Sequence, residues 1–523
     1  MTITDTPAFD VTKKYYLNPI YIIRPDKNRA IISNAKNIDV FSPLINGETG
    51  FTWILNPLYA VIFSHFDGKT TLSETIEAIS KELGMEYNEV LSMITPYINN
   101  KDKKIIRYAK NSTDQKNNIH YNFFSIPRNF LIEVVNDKPR NDLYGKEHFY
   151  IKRDSWDFDT VRLYTPTGII LMLNNCCVTE CVYCYANKKH TVQNALSTDR
   201  ILELIEEASR IGILSFELGG GEALLHKDCY TIYSALFKAG YLPHVSTKIP
   251  ITEEQIIKLK EVGFSQIQFS IDAWDSNTLM KMLDVDETYF VKLGKTLQLM
   301  EKHNINVNVK SVITKFNSSV QSVNKLLTNL TKFKNINRIA IVPGERSLYK
   351  EEKGFPYYMA SFENWNKIRD FVNDISAKTK NCHISTQTTL PKDMFINHVD
   401  EKAALFNKRP LCTGNVTSLY ILPDGKVTIC EELYWSPKFI VGDVTTQTIE
   451  EVWNSETATK LFYLSQNDFR LTSACKHCPT FSACRSRLGV CWKMILQAYG
   501  MDAWDLPDPR CALAPPPICE FYR

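Results

Sequence analysis

The chain has 523 residues, 44% of them hydrophobic and 23% charged, with a formal net charge of +3. This length exceeds one ordinary domain and predicts two to four packed units, while so small a net charge supplies no large field for nucleic acid or an anionic membrane. The opening MTITDTPAFDVTKKYY lacks an apolar targeting core and the run GIILML is far too short to cross a bilayer, so the chain reads as cytoplasmic, with no nucleic acid and no membrane among its partners.

Residues 1–110 read as a winged-helix-like α+β domain. YIIRPDKNRAIIS predicts a β-hairpin and GFTWIL a third strand; LYAVIFSHF, LSETIEAISKELG and YNEVLSMITPYINN carry apolar residues at helical spacing, with DGKTT as a turn between the first two. The polar AKNSTDQKNNIHY breaks this pattern, and residues 111–165 are expected to link and bridge. Over residues 166–345 short strands alternate with longer helices. GIILML, ILSFEL, PHVST, QIQFSI, NVNVKSVI and NRIAIV are separated by stretches such as TDRILELIEEASRIG. Six βα units predict an α/β fold with a parallel sheet, wound open or curled into a partial (β/α)6 TIM-like barrel, with reactive groups on the loops after the strands. Residues 346–405 read as a bridging segment. Residues 406–523 read as a loop-rich, cysteine-dense domain in which SLYILPDGKVTIC predicts a hairpin and IEEVWNSETATKLFYLS one helix.

Fourteen cysteines in a cytoplasmic chain point to metal or redox chemistry rather than a disulfide framework. Cys177, Cys181 and Cys184 form C-x3-C-x2-C directly after the first strand of the βα run. Three thiolates on one short loop can hold three irons of a 4Fe-4S cluster and leave the fourth iron open to another ligand; the alternative is a zinc site short of a ligand, or packed inert cysteines. Cys176 cannot start the same spacing, because position 180 is Glu, and reads as a small packed residue.

This motif, with Tyr183 before its last cysteine, resembles the radical S-adenosylmethionine (radical SAM) enzymes. The resemblance implies that SAM chelates the open iron and is cleaved by an electron from the cluster to a 5′-deoxyadenosyl radical. It also implies that Gly219, Gly220, Gly221 and Glu222, after the second strand, match the segment that binds the amino group of SAM. Ser270 and Asp272 after the fourth strand would serve ribose or carboxylate contacts, Ser246, Thr247 and Lys310 would lie near SAM, and Tyr183 would form a wall beside the adenine. No catalytic acid or base is assigned.

The C-terminal cysteines resemble the SPASM extension of such enzymes, which binds two auxiliary 4Fe-4S clusters. By position, Cys412, Cys430 and Cys491 would hold the nearer cluster and Cys475, Cys478, Cys484 and Cys511 the outer one, for three clusters in all. One departure stands out: Leu488 occupies the place where the pattern has its next cysteine, and Cys491 comes three residues later. Cys519 is spare. The alternative is a structural zinc domain built on C-x2-C.

The first hundred residues resemble the peptide-recognition module typified by the peptide chaperone of pyrroloquinoline quinone biosynthesis, which captures a leader peptide as an added strand. The alternative is a winged-helix dimerisation or nucleic-acid module, although YNEVLSMITPYINN carries no lysine or arginine to neutralise phosphates. Together the resemblances imply a maturase that docks a ribosomally made precursor peptide by its leader. It would draw electrons from an external reductant such as flavodoxin or ferredoxin and install a thioether or carbon-carbon crosslink. The alternatives are residue oxidation, epimerisation, backbone cleavage, or a non-enzymatic iron-sulfur or zinc protein.

Overall fold

The computed structural model describes residues 9–36, 52–101, 104–109, 121–135, 138–350, 357–386, 406, 409 and 412–517. They divide into two compact units, 1–165 and 166–523.

In the first unit, β2 (Tyr21–Asp26) and β3 (Arg29–Asn34) form the expected hairpin, with Lys27 in the left-handed region at its turn, and β4 (Thr52–Leu55) pairs antiparallel with β3. The helices are α1 (Pro57–Ser64), α2 (Leu72–Leu83) and α3 (Tyr87–Ile94). DGKTT is not simply a turn. It forms a strand, β5 (Asp67–Thr71), paired with β1 (Lys14–Leu17) in a second sheet of order β5-β1-β8, where β8 is Leu131–Glu133. A polar strand of this kind shows no apolar alternation; backbone pairing with β1 forms it. The segment read as a linker is likewise flanked by a hairpin, β6 (Lys104–Ala109) with β7 (Tyr121–Ile126). A capping box starts α2: Thr71 Oγ1 accepts from Glu74 N at 3.3 Å and the Glu74 carboxylate accepts from Thr71 N at 2.8 Å. Phe63, fully buried, centres the core, edge-on to Phe130 at 4.9 Å and Tyr97 at 5.4 Å.

In the second unit the six expected strands all form: β9 (Gly168–Asn174), β10 (Ser215–Gly220), β11 (Ser246–Thr247), β12 (Gln266–Ser270), β13 (Asn306–Ile313) and β14 (Ile336–Pro343). Between them run α4 (Thr198–Arg210), α5 (Cys229–Lys238), α6 (Glu253–Val262), α7 (Ser276–Leu283), α8 (Thr288–Lys302) and α9 (Val320–Leu330). Alternation does not stop at residue 345. The helix Phe362–Lys378, capped by Ser361, leads to β15 (His383–Thr386), parallel to β14, whose four residues are too few to show a period.

The strands also do not form one continuous ladder. β11 to β15 make one parallel sheet. β9 and β10 belong to another, of order β10-β9-β16-β17-β18, where β16 is Ser418–Ile421, β17 Lys426–Thr428 and β18 Ile440–Asp443. β16 lies parallel to β9, so the C-terminal hairpin extends the sheet that carries the first cysteines. Carboxylates bridge the gap between β10 and β11: Glu217 accepts from His244 N at 3.0 Å, and Glu222 accepts from Thr247 Oγ1 at 2.8 Å and Lys248 N at 3.3 Å. The helix read over IEEVWNSETATKLFYLS breaks into Ile449–Trp453 and Glu456–Phe462, because Ser455 caps the second piece. Among the described residues no helix is long and apolar enough to cross a membrane.

Phe63→Ala is expected to cost about 3–5 kcal/mol of first-unit stability, read as an earlier urea midpoint by tryptophan fluorescence.

Candidate active site

The chain leaves β9 as a loop without helix or strand that carries Cys177, Cys181 and Cys184. Cys181 is buried and the other two half-buried. Thr179, also buried, sets its hydroxyl 3.4 Å from Cys177 Sγ and 3.3 Å from Cys181 Sγ, so one side chain spaces two thiols. Cys176 is exposed rather than packed; its backbone does the packing, accepting the Glu222 N–H at 2.7 Å.

Glycines permit that contact. Gly221 N donates to Asn174 O at 2.8 Å, Gly220 sits at φ +108°, and a Cβ on Gly221 would lie 2.0 Å from Cys176 O. Asn174 completes the clasp, its side chain donating to Glu222 O and accepting from Cys176 N. From the other side, Lys188 Nζ donates to Thr179 O at 2.6 Å, and Lys350 Nζ donates to Cys181 O at 2.7 Å and to Val182 O. Burial pushes the Cys181 thiol up in pKa, and the charge of Lys248 works against that.

Beside the loop lies a buried polar group. Asp272 accepts from Lys248 Nζ at 2.7 Å, from the Tyr183 hydroxyl, and from Val312 N at 2.8 Å. Lys248 also donates to the Tyr183 hydroxyl at 2.7 Å. Burial opposes the Lys248 charge, but Asp272 and the Cys181 and Cys177 thiolates outweigh it and raise the ammonium above its ordinary pKa. Burial likewise raises Glu222, against hydrogen bonds from Thr247, Leu224 and Lys248. Tyr183, Glu222 and Asp272 are thus brought together through Thr247 and Lys248. Ser246, Ser270 and Lys310 are not joined to that group by any hydrogen bond among the described residues. Ser246 is exposed and accepts from Gln268 Nε2 at 2.6 Å, while Ser270 stands opposite Lys310 in the register of β12 and β13. Strand alternation turns Thr247, not Ser246, toward Glu222. Lys248 was legible from its place at the end of β11; Lys188 and Lys350 carried no local signal.

Cys412 precedes β16 and Cys430 follows β17, so the sheet holding β9 also positions these thiols. Burial pushes Cys430 up to about 12, with Glu432, Cys491 and Cys412 adding to it, and Cys491 to about 11. Between Cys484 and Cys491 the chain makes a π-helical turn, Ala483–Leu488, and passes through Gly489 at φ +66°, and Cys491 stands at the cap of the helix Trp492–Tyr499. Tyr185, next to Cys184, donates to Glu431, next to Cys430, at 3.4 Å. Cys475, Cys478, Cys484 and Cys511 line a cavity of about 380 Å3. Among the described residues no three His, Cys, Asp or Glu side chains close around one ion; the four thiols instead surround a space, as a multi-iron cluster requires. Buried Arg485 also lines that space, with Nη1 lacking any partner among the described residues, an orphan that an anionic group would satisfy. Cys519 lies outside the described residues.

Residues 171–319 match the radical SAM superfamily and residues 412–479 the iron-sulfur cluster-binding domain SPASM. The chain carries a radical SAM domain with a SPASM domain C-terminal to it, and it is an enzyme. It is 21% identical over 364 residues to a PqqA peptide cyclase of Methylocella silvestris, covering 68% of this chain and 90% of that one. Its fold is similar to the solved structure of Streptococcus suis SuiB bound to precursor peptide SuiA, with TM-score 0.58 and 13% identity over 94% of this chain and 98% of that one. SuiB bound to S-adenosylmethionine gives TM-score 0.57 at 13% identity, over 95% of this chain and 99% of that one.

Gly221→Ala is expected to displace the cysteine loop and lower bound iron by about 4 atoms per chain, measured by iron analysis after anaerobic reconstitution. Thr247→Val leaves one Glu222 oxygen short of a donor and is expected to weaken SAM binding about tenfold, by about 1.4 kcal/mol, read by calorimetry.

Proposed function

We propose that this enzyme is a peptide maturase: it binds the leader of a ribosomally made precursor peptide through residues 1–110 and crosslinks the core peptide through a thioether or carbon-carbon bond. On this reading Cys177, Cys181 and Cys184 hold the SAM-binding cluster, with Gly219, Gly220, Gly221, Glu222, Ser246, Ser270, Asp272, Lys310 and Tyr183 around SAM. Cys412, Cys430 and Cys491 hold the nearer auxiliary cluster and the four cavity cysteines the outer one. SAM and its cluster, when bound, supply the radical that abstracts hydrogen from an unactivated carbon.

The protein's own residues do the rest. The glycine clasp and the lysines on the loop carbonyls fix three thiols before any metal arrives. Glu222 offers carboxylate oxygens to an ammonium group, and Lys248, Asp272 and Tyr183 form a preorganised polar wall that excludes water. An external one-electron reductant such as flavodoxin or ferredoxin would serve the clusters.

The observation that carries the peptide reading is the edge strand β4, which among the described residues pairs within its sheet with β3 alone, the kind of edge to which a peptide strand adds. The similarity to a peptide cyclase and to a fold solved with a precursor peptide supports the same direction. The test is fluorescence polarisation with a labelled leader from the short reading frame beside the gene. The full chain should bind it, and residues 166–523 alone should lose the binding while still cleaving SAM uncoupled. Equal binding by both proteins would refute leader capture.

A further inference from the structure

The two auxiliary cysteine sets stand in opposite electrostatic surroundings. At the outer set, Arg409 Nη2 donates to Cys484 Sγ at 3.2 Å and Arg485 Nη2 donates to Cys475 Sγ at 3.3 Å. Both arginines are buried, and neither is paired with a carboxylate among the described residues. Arg409 is held by carbonyls, donating to Phe406 O at 2.7 Å and Gly489 O at 2.6 Å, with its guanidinium 3.6 Å over the Phe406 ring. Arg485 lies over the rings of Phe469 and Trp492, and its Nη1 has no partner among the described residues.

Among the described residues no guanidinium donates to a thiol of the nearer set. Arg510, the cation beside Cys412 and Cys491, is spent on a bidentate pair with Asp508 at 2.8 and 2.7 Å, and Asp508 also accepts the Cys491 N–H at 3.0 Å. Cys430 is followed directly by Glu431 and Glu432, and among the described residues only Glu432 is bonded to a lysine, Lys493, at 2.5 Å.

A thiolate-ligated cluster is anionic, and reduction adds one more negative charge with no bond made or broken. A buried guanidinium cannot shed its proton, so it stabilises the reduced form, and hydrogen bonds to cluster sulfurs act in the same direction. We infer that Arg409 and Arg485 set the reduction potential of the outer auxiliary cluster above that of the nearer one, so that an electron entering the pair settles on the outer site. Arg485 is placed to couple the two sites, since it lines both the outer cavity and the small cavity beside Cys412. The inference rests on the reading of these cysteines as cluster ligands.

The experiment is a potentiometric titration of the reconstituted full chain, followed by electron paramagnetic resonance, with the outer signal assigned by its loss in a Cys475→Ala, Cys478→Ala protein. The wild-type outer cluster should reduce at higher potential than the nearer one. In Arg409→Gln and Arg485→Gln, at a fixed solution potential, its reduced-to-oxidised ratio should fall about tenfold, a shift of about 59 mV for one electron. Arg485→Lys, which keeps the charge, should recover most of that shift at unchanged iron content. A wild-type outer cluster at or below the nearer potential overturns the inference, as does an unchanged outer potential in iron-loaded glutamine variants. If the glutamine variants lose iron, the wild-type order of potentials decides alone. If the Cys475→Ala, Cys478→Ala protein keeps the wild-type iron content and signals, the cluster reading itself fails and takes the inference with it.

Discussion

Everything at the candidate active site depends on one contact: the backbone of the cysteine loop pressed against the backbone of the glycine segment. The loop after β9 has no ladder of its own, so its carbonyls and amides must be satisfied by neighbours. Cys176 O takes the Glu222 N–H, Asn174 takes and gives on both sides, and the Lys188 and Lys350 ammonium groups take up the Thr179, Cys181 and Val182 carbonyls. Only residues without a Cβ can stand where Gly221 does, because any other would meet Cys176 O. The glycines that read as a ligand contact are therefore first a docking surface for the loop, and the carboxylate after them is placed by the same contact.

The second constraint is the division of the parallel strands into two sheets. With no ladder between β10 and β11, side-chain carboxylates cross the gap, and Glu222 serves that closure as well as facing the polar group around Lys248. At the far side of β9 the sheet is continued by β16. That strand joins the SPASM region to the radical SAM region through shared backbone hydrogen bonds, so the loops bearing Cys184 and Cys430 are set by one sheet, and their neighbours Tyr185 and Glu431 meet. Geometry between the metal regions is thus a property of strand register rather than of a flexible tether.

Much of this was legible in the sequence. The six strands and their helices announced themselves by period, and C-x3-C-x2-C, the glycine triplet and the C-terminal cysteine spacings pointed to the site. What escaped has physical causes. DGKTT and HIST are polar and short, and pairing alone makes them strands. Ser455 interrupts a stretch whose apolar period runs on through it. The residues that hold or tune the thiols, Thr179, Lys188, Lys350, Arg409 and Arg485, act over contacts distant in sequence, or through a rotamer, and leave no local pattern. Strand alternation was available and would have chosen Thr247 over Ser246 as the partner of Glu222.

The central claim is that Cys177, Cys181 and Cys184 hold a cluster that reductively cleaves SAM. The most direct measurement is 5′-deoxyadenosine production by reconstituted protein with SAM and dithionite, compared with a protein in which these three cysteines are alanine and the C-terminal cysteines are intact. The account predicts turnover by the first and none by the second, which should keep the iron of its auxiliary sites. Equal 5′-deoxyadenosine from both, or none from a wild-type protein that binds only zinc, would contradict it.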